Sequence, residues 1–149
     1  MKKMLFLISF AATFFCGCEF FEKGHRCITV VNNSDTDIYV DKSYNYPDTI
    51  FHHHWIAISY NEYATKVKSR SSSDEALSLF AGNSWENLFA YGDIESDTLI
   101  VFILNVDSIE LWERNDYSKE RYSPNDAVIK RYDLSLHDLN KTNWTIIYP

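Results

Sequence analysis

The hydrophobic pattern changes period several times along this chain, and each change marks an element. Residues 99–104 (Leu-Ile-Val-Phe-Ile-Leu) are six apolar residues without polar alternation. A strand with one wet face alternates, so this run predicts a strand covered on both faces, at the centre of the core. Residues 27–31 (Cys-Ile-Thr-Val-Val) are rich in β-branched side chains and predict another strand. Residues 32–37 are all Asn, Ser, Asp and Thr, which hydrogen-bond their own backbone in turns. With Ile38-Tyr39-Val40 beyond them, they predict a hairpin. Further strands are expected over 52–60, 63–68, 128–132 and 144–148. Pro47 makes 44–49 a loop or a sheet edge, and three consecutive serines make 68–74 a polar loop.

A different spacing predicts short helices. Trp85, Leu88 and Phe89 stand at i, i+3 and i+4 behind Ser84, a suitable N-cap. Asp107 or Ser108 is expected to cap a helix carrying Ile109, Leu111 and Trp112. Ser135 and Asp138 have the spacing of a loose capping box, opening a helix through Leu139. Residues 117–126 are polar, contain Pro124 and predict a surface loop. Five to seven strands, two or three short helices and no repeat or linker make residues 25–149 one globular domain. The expected class is mainly β, a single antiparallel β-sandwich-like domain. The alternative is α+β with one mixed sheet.

Residues 1–17 have another purpose. Lys2-Lys3 precede an apolar run over 4–15, followed by Cys16-Gly17-Cys18. Twelve residues, ten of them apolar, fall short of the roughly twenty a spanning helix needs, whereas a basic start, short apolar run and small residue before a cleavage point suit a secretory signal. The segment resembles a bacterial lipoprotein signal, in which a small residue, here Gly17, precedes the lipidated cysteine, here Cys18; Phe15 stands where such signals usually carry Leu. The resemblance implies a signal peptide over 1–17, lipidation of Cys18, and a tether over 18–24 whose six residues from Glu19 to Gly24 reach at most about 20 Å. The implied partner is a membrane, contacted through the lipid anchor. Glu19, in place of the Asp that retains some lipoproteins in the inner membrane, implies the outer membrane.

Cleavage alters the composition. The full chain has 149 residues, 46% of them apolar and 16% aromatic, which excludes a disordered tail or low-complexity linker. Removing 17 residues takes two of the 14 basic side chains and none of the 21 acidic ones, so the formal charge moves from −7 to −9 on 132 residues. Phosphate binding needs clustered Lys and Arg, so no nucleic acid is expected as a partner. Cys27 is the one thiol left, which excludes an internal disulfide. On a strand it is expected to be a small buried hydrophobe.

The mature chain carries a resemblance of its own. Val31-Asn32-Asn33-Ser34-Asp35 with Asp37-Ile38-Tyr39-Val40, Tyr46-Pro47-Asp48-Thr49, Trp85-Glu86, the run over 99–104 and the stretch from Arg131 to Leu139 with Asn143-Trp144-Thr145 resemble landmarks of a family of small cell-envelope lipoproteins of Bacteroidota. This resemblance implies origin and location, and carries over no catalytic residue. It also implies that Asp48-Thr49-Ile50, Asp97-Thr98-Leu99 and Asp107-Ser108-Ile109 match that phylum's short O-glycosylation pattern.

Candidate chemistry is sparse. His52 and His54 would share one face of a strand and can ligate zinc or copper if a third ligand joins them. Asp93, Glu95 and Asp97 alternate as in a calcium loop, but Thr98 and Leu104 replace its Gly and final Glu, so an acidic turn is expected. No Gly-x-Ser-x-Gly elbow or phosphate loop is present, and no cofactor is expected. Tyr39, Tyr44, Tyr46 and Tyr60 are candidates for a binding platform, since an aromatic face with a polar tip suits a glycan or an envelope protein. Most of Trp55, Trp85, Trp112 and Trp144 are expected in the core. The leading expectation is a non-enzymatic binding or assembly module of the cell envelope; the alternative is an envelope hydrolase or metal-binding protein.

Overall fold

The computed structural model describes residues 24–47, 64–80, 82–114 and 124–149. Its strands are β1 (Cys27–Asn32), β2 (Ile38–Ser43), β3 (Thr65–Val67), β4 (Ser71–Ser78), β5 (Leu99–Asn105), β6 (Val128–Leu134) and β7 (Thr145–Tyr148). Three short helices, α1 (Trp85–Ala90), α2 (Val106–Arg114) and α3 (Leu136–Lys141), lie among them. The strands form two sheets, ordered β4-β1-β7 and β3-β2-β5-β6. Only the β1–β7 pair is parallel among the described pairings. This is the mainly β domain with a few helices that the pattern predicts.

The unbroken apolar run accounts for the layering. Leu99, Val101 and Ile103 of β5 enter a core shared with Ile28 and Val30 of β1, Leu77 of β4 and Ile146 of β7, so the two sheets face one another. Ile100, Phe102 and Leu104 point the other way, into a second cluster completed by Ile109 of α2 and by Ala127. Both faces of β5 are therefore dry, and this is why its sequence does not alternate.

The expected hairpin is absent. β1 and β2 lie in different sheets, and residues 33–37 form an arch between them. The link has no Gly with which to make a tight two-residue turn, and Asn32 commits its side chain to the arch. The residue is completely buried. Its Nδ2 donates to the carbonyls of Thr36 (2.8 Å), Lys68 (3.1 Å) and Val67 (3.3 Å), and its Oδ1 accepts from the amide and hydroxyl of Ser34 (3.0 and 2.7 Å). The carbonyls of Val67 and Lys68 belong to a second crossing, from β3 to β4. One amide thus joins two arches, with Ser69 N–H donating to Asp37 (2.9 Å) and Arg70 pairing with Asp35 (2.6 Å) beside it.

Two other expectations are corrected. The serines placed in a polar loop form the first half of β4, because pairing with β1 overrides their weak strand preference at a sheet edge. Such a short-chained polar edge is also a poor template for aggregation. The α2 cap is Asn105, whose Oδ1 accepts from Ser108 N–H (2.8 Å), in place of Asp107 or Ser108; the helix begins directly where β5 ends. Ser84 does cap α1, accepting from Asn87 N–H, and Trp85, Leu88 and Phe89 are its buried face. Ser135 and Asp138 form a reciprocal capping box on α3. Residues 124–127, overlapping the end of the expected loop, form a 3₁₀ turn. The strand expected over 52–60 lies outside the described residues.

Candidate functional site

The end of the domain where the tether would leave is built from the start of β1, the start of α1 and the end of β4. Gly24 crosses Ser84 so closely that a Cβ there would fall 2.5 Å from the Ser84 side chain and 2.6 Å from Glu86 Oε2. Only glycine fits without moving the helix start. The next residue is held from several sides. His25 N–H donates to Glu86 Oε2 (2.8 Å), its ring Nδ1 lies 2.6 Å from Glu86 Oε1, and its carbonyl accepts from Trp85 N–H (2.9 Å). Facing a carboxylate, Nδ1 is the donor of that bond. The imidazole also stacks on Trp144, with centroids 4.2 Å apart and planes 14° from parallel. Burial acts to raise the Glu86 carboxyl, but the hydrogen bonds from His25 and from the helix-start backbone hold it below its ordinary value. An acid in the first turn of a helix is favoured by the exposed N–H groups there.

The candidate tyrosines are divided by the sheet. Tyr39 and Tyr46 pack against the second cluster, with Lys66 Nζ 5.8 Å from the Tyr39 ring centre. Tyr44 packs against the main core and meets Trp85 edge-on, 6.3 Å between centroids. Tyr39 and Tyr46 therefore share a side that Tyr44 does not. Tyr60, His52, His54, Cys18 and the tripeptide Asp48-Thr49-Ile50 lie outside the described residues. Cys27 is exposed, contrary to the expectation of burial: Ile28, Val30 and Asn32 take the inward positions of β1, which turns Cys27 outward. Trp85 and Trp144 are buried as expected, while Trp55 lies outside the described residues. Thr98 is half-buried, its Oγ1 donating to the Ser96 carbonyl (3.0 Å).

Comparison with protein-family models, curated proteins and solved structures finds no match.

Sequence reasoning missed one charged residue on the β2–β5 face. Tyr39 and Asp41 point toward the second cluster, with Asp41 opposite Phe102. Burial pushes its carboxyl up to about 6, against the opposing pull of the Lys42 backbone N–H (2.7 Å) and the Lys42 charge. Burial lowers Lys42 on the opposite face, and it raises Tyr44 to about 12 with help from the charges of Asp41 and Asp93. The signal was present, because any side chain beside a strand dry on both faces is itself half-buried.

A raised carboxyl has a definite consequence for pH. The folded state holds the Asp41 proton up to about pH 6, whereas the ordinary value is 3.8. Between those values the folded state binds more protons than the unfolded one, so stability falls as pH rises through this window. Asp41→Asn removes the ionisation and is expected to stabilise the domain by about 1–3 kcal/mol at pH 7.5, with little effect at pH 4. Urea unfolding of both proteins at the two pH values measures this; an equal effect at both would show that the charge is not responsible.

Proposed function

We propose that the protein is a lipid-anchored binding or assembly module of the bacterial cell envelope, held at the outer membrane through Cys18. The pattern of residues 1–18, with Lys2-Lys3, an apolar run and Gly17-Cys18, supports this reading. The observation that carries it is the closeness of Cys18 to a fixed point: Gly24, six residues on, is already wedged against Ser84. The stretch between them reaches at most about 20 Å, so the anchor and the domain form one short unit. The several acyl chains of a mature lipoprotein, at about 0.8 kcal/mol per buried CH₂, make such an anchor effectively permanent. A glycan or an envelope protein is the partner this reading gives the module.

Cys18→Ala is expected to move the protein from the membrane fraction to the soluble fraction on cell lysis. The same substitution should abolish labelling by a fatty-acid analogue. Unchanged membrane association with no labelling would overturn the anchor.

A further inference from the structure

We infer that the tether end of the domain is a membrane-docking face, with a lipid bilayer as the occupant and Phe80 as the side chain that enters it. The inference rests on the Cys18 anchor proposed above, and adds an orientation to it.

Phe80 is 90% exposed, the most exposed large apolar side chain among the described residues. Its position is closely tied to the tether. Leu79 N–H donates to the carbonyl of Arg26 (2.9 Å), and the Arg26 guanidinium donates back to the carbonyl of Leu79 (3.2 Å). The Phe80 carbonyl accepts from Asn83 N–H (3.3 Å), and the next residue, Ser84, is the one beneath Gly24. The loop carrying Phe80 therefore wraps the point where the chain leaves for the anchor. A tether of this reach holds that end within about 20 Å of the lipid headgroups.

Charge is more balanced at this end than over the whole. At −9 the mature chain is repelled by an anionic surface as a whole. Here Arg26 and Lys23 stand against Glu19 and Glu22 of the tether, and the adjacent acid, Glu86, is engaged by His25; Asp74 and Glu75 stand further along β4. An exposed Phe with basic side chains nearby is the combination by which surfaces lie in the membrane interface. Ile147 is also exposed, at 57%, but lies opposite Val31, five residues along β1 from Arg26. That separation is about 17 Å at strand rise, which places Ile147 at the distal end.

Cys27 allows a direct test, being exposed at the docking end and the one thiol that remains after lipidation. The full-length lipidated protein, nitroxide-labelled at Cys27, would be reconstituted in phosphatidylethanolamine–phosphatidylglycerol vesicles. Its collision with oxygen and with a water-soluble nickel complex would be compared. The expected result is a preference for oxygen, lost in Phe80→Asp and kept in Ile147→Asp, while all three proteins float with the vesicles and melt alike. A label that is fully nickel-accessible in floating wild type, or indifferent to Phe80→Asp, overturns the docking face and leaves the anchor standing. Wild type that does not float overturns both.

Discussion

Asn32→Ala is expected to cost the domain about 3–4 kcal/mol and to lower its melting temperature by roughly 10 °C. The amide serves both arches at once, so its loss takes a donor from the carbonyls of Thr36, Val67 and Lys68 together, while the Ser34 and Ser71 hydroxyls still reach those of Thr36 and Lys68. A buried hydrogen bond contributes about 1 kcal/mol net, but a buried carbonyl left without a donor costs about 1–3 kcal/mol. Solvent reaching the arch relieves part of that, which sets the upper end of the figure. Ser34→Ala, which removes one donor to Asn32, should cost about 1 kcal/mol. Asn33→Ala, one position further on and exposed, should stay within about 0.5 kcal/mol. Urea denaturation of the three variants gives the ranking. If the Asn32 and Asn33 variants prove equal, the arches are held by something other than this side chain.

Trp85 gives the second large effect. It is fully buried at the start of α1, between the two sheets and edge-on to Tyr44. Trp85→Ala should cost about 3–5 kcal/mol through the cavity it leaves. The informative variant is Trp85→Phe. The indole Nε1–H is buried and faces no acceptor among the described residues, and an unsatisfied buried donor costs about 1–3 kcal/mol. Removing that group offsets much of the lost volume, so Trp85→Phe is expected to lie within about 1 kcal/mol of wild type. Thermal unfolding checks both. A Phe variant as unstable as the Ala variant would mean that the indole N–H is satisfied in solution.

What could be read from the sequence follows from how local its causes are. The run over 99–104, the Ser84 cap and the Ser135–Asp138 box each depend on neighbours within a few positions, and all three stand in the structure. An arch and a hairpin, by contrast, present the same local pattern, a polar link between two strands. Which one forms depends on whether the second strand finds the first or a distant partner, and β2 finds β5. The serines of β4 are strand because β1 is beside them, and nothing in their own composition says so.

The candidate site divides in the same way. Exposure of Cys27 follows from the parity of β1 once Ile28 is taken as inward, so it was legible. Tyr39 and Tyr44 differ in parity as well, and their opposite sides could have been anticipated. The bonds from His25 to Glu86 and its stack on Trp144 join three distant parts of the chain. Glu86 behind a helix cap hinted at a bound N–H, but not at whose.

The arches have a consequence for how fast the chain can fold. Since β1 does not pair with β2, nor β3 with β4, no described ladder is closed by a tight turn. Its nearest contacts in sequence join Leu104 to Val128 and Val40 to Thr65, and β1 must wait for β7 at the far end of the chain. Each such pairing closes a long loop before any contact repays the lost entropy. Topologies of this kind fold in about milliseconds to seconds, where helical bundles need about microseconds to milliseconds. A newly made chain would thus spend that interval with the apolar run of β5 uncovered, which makes the time before folding its most aggregation-prone moment.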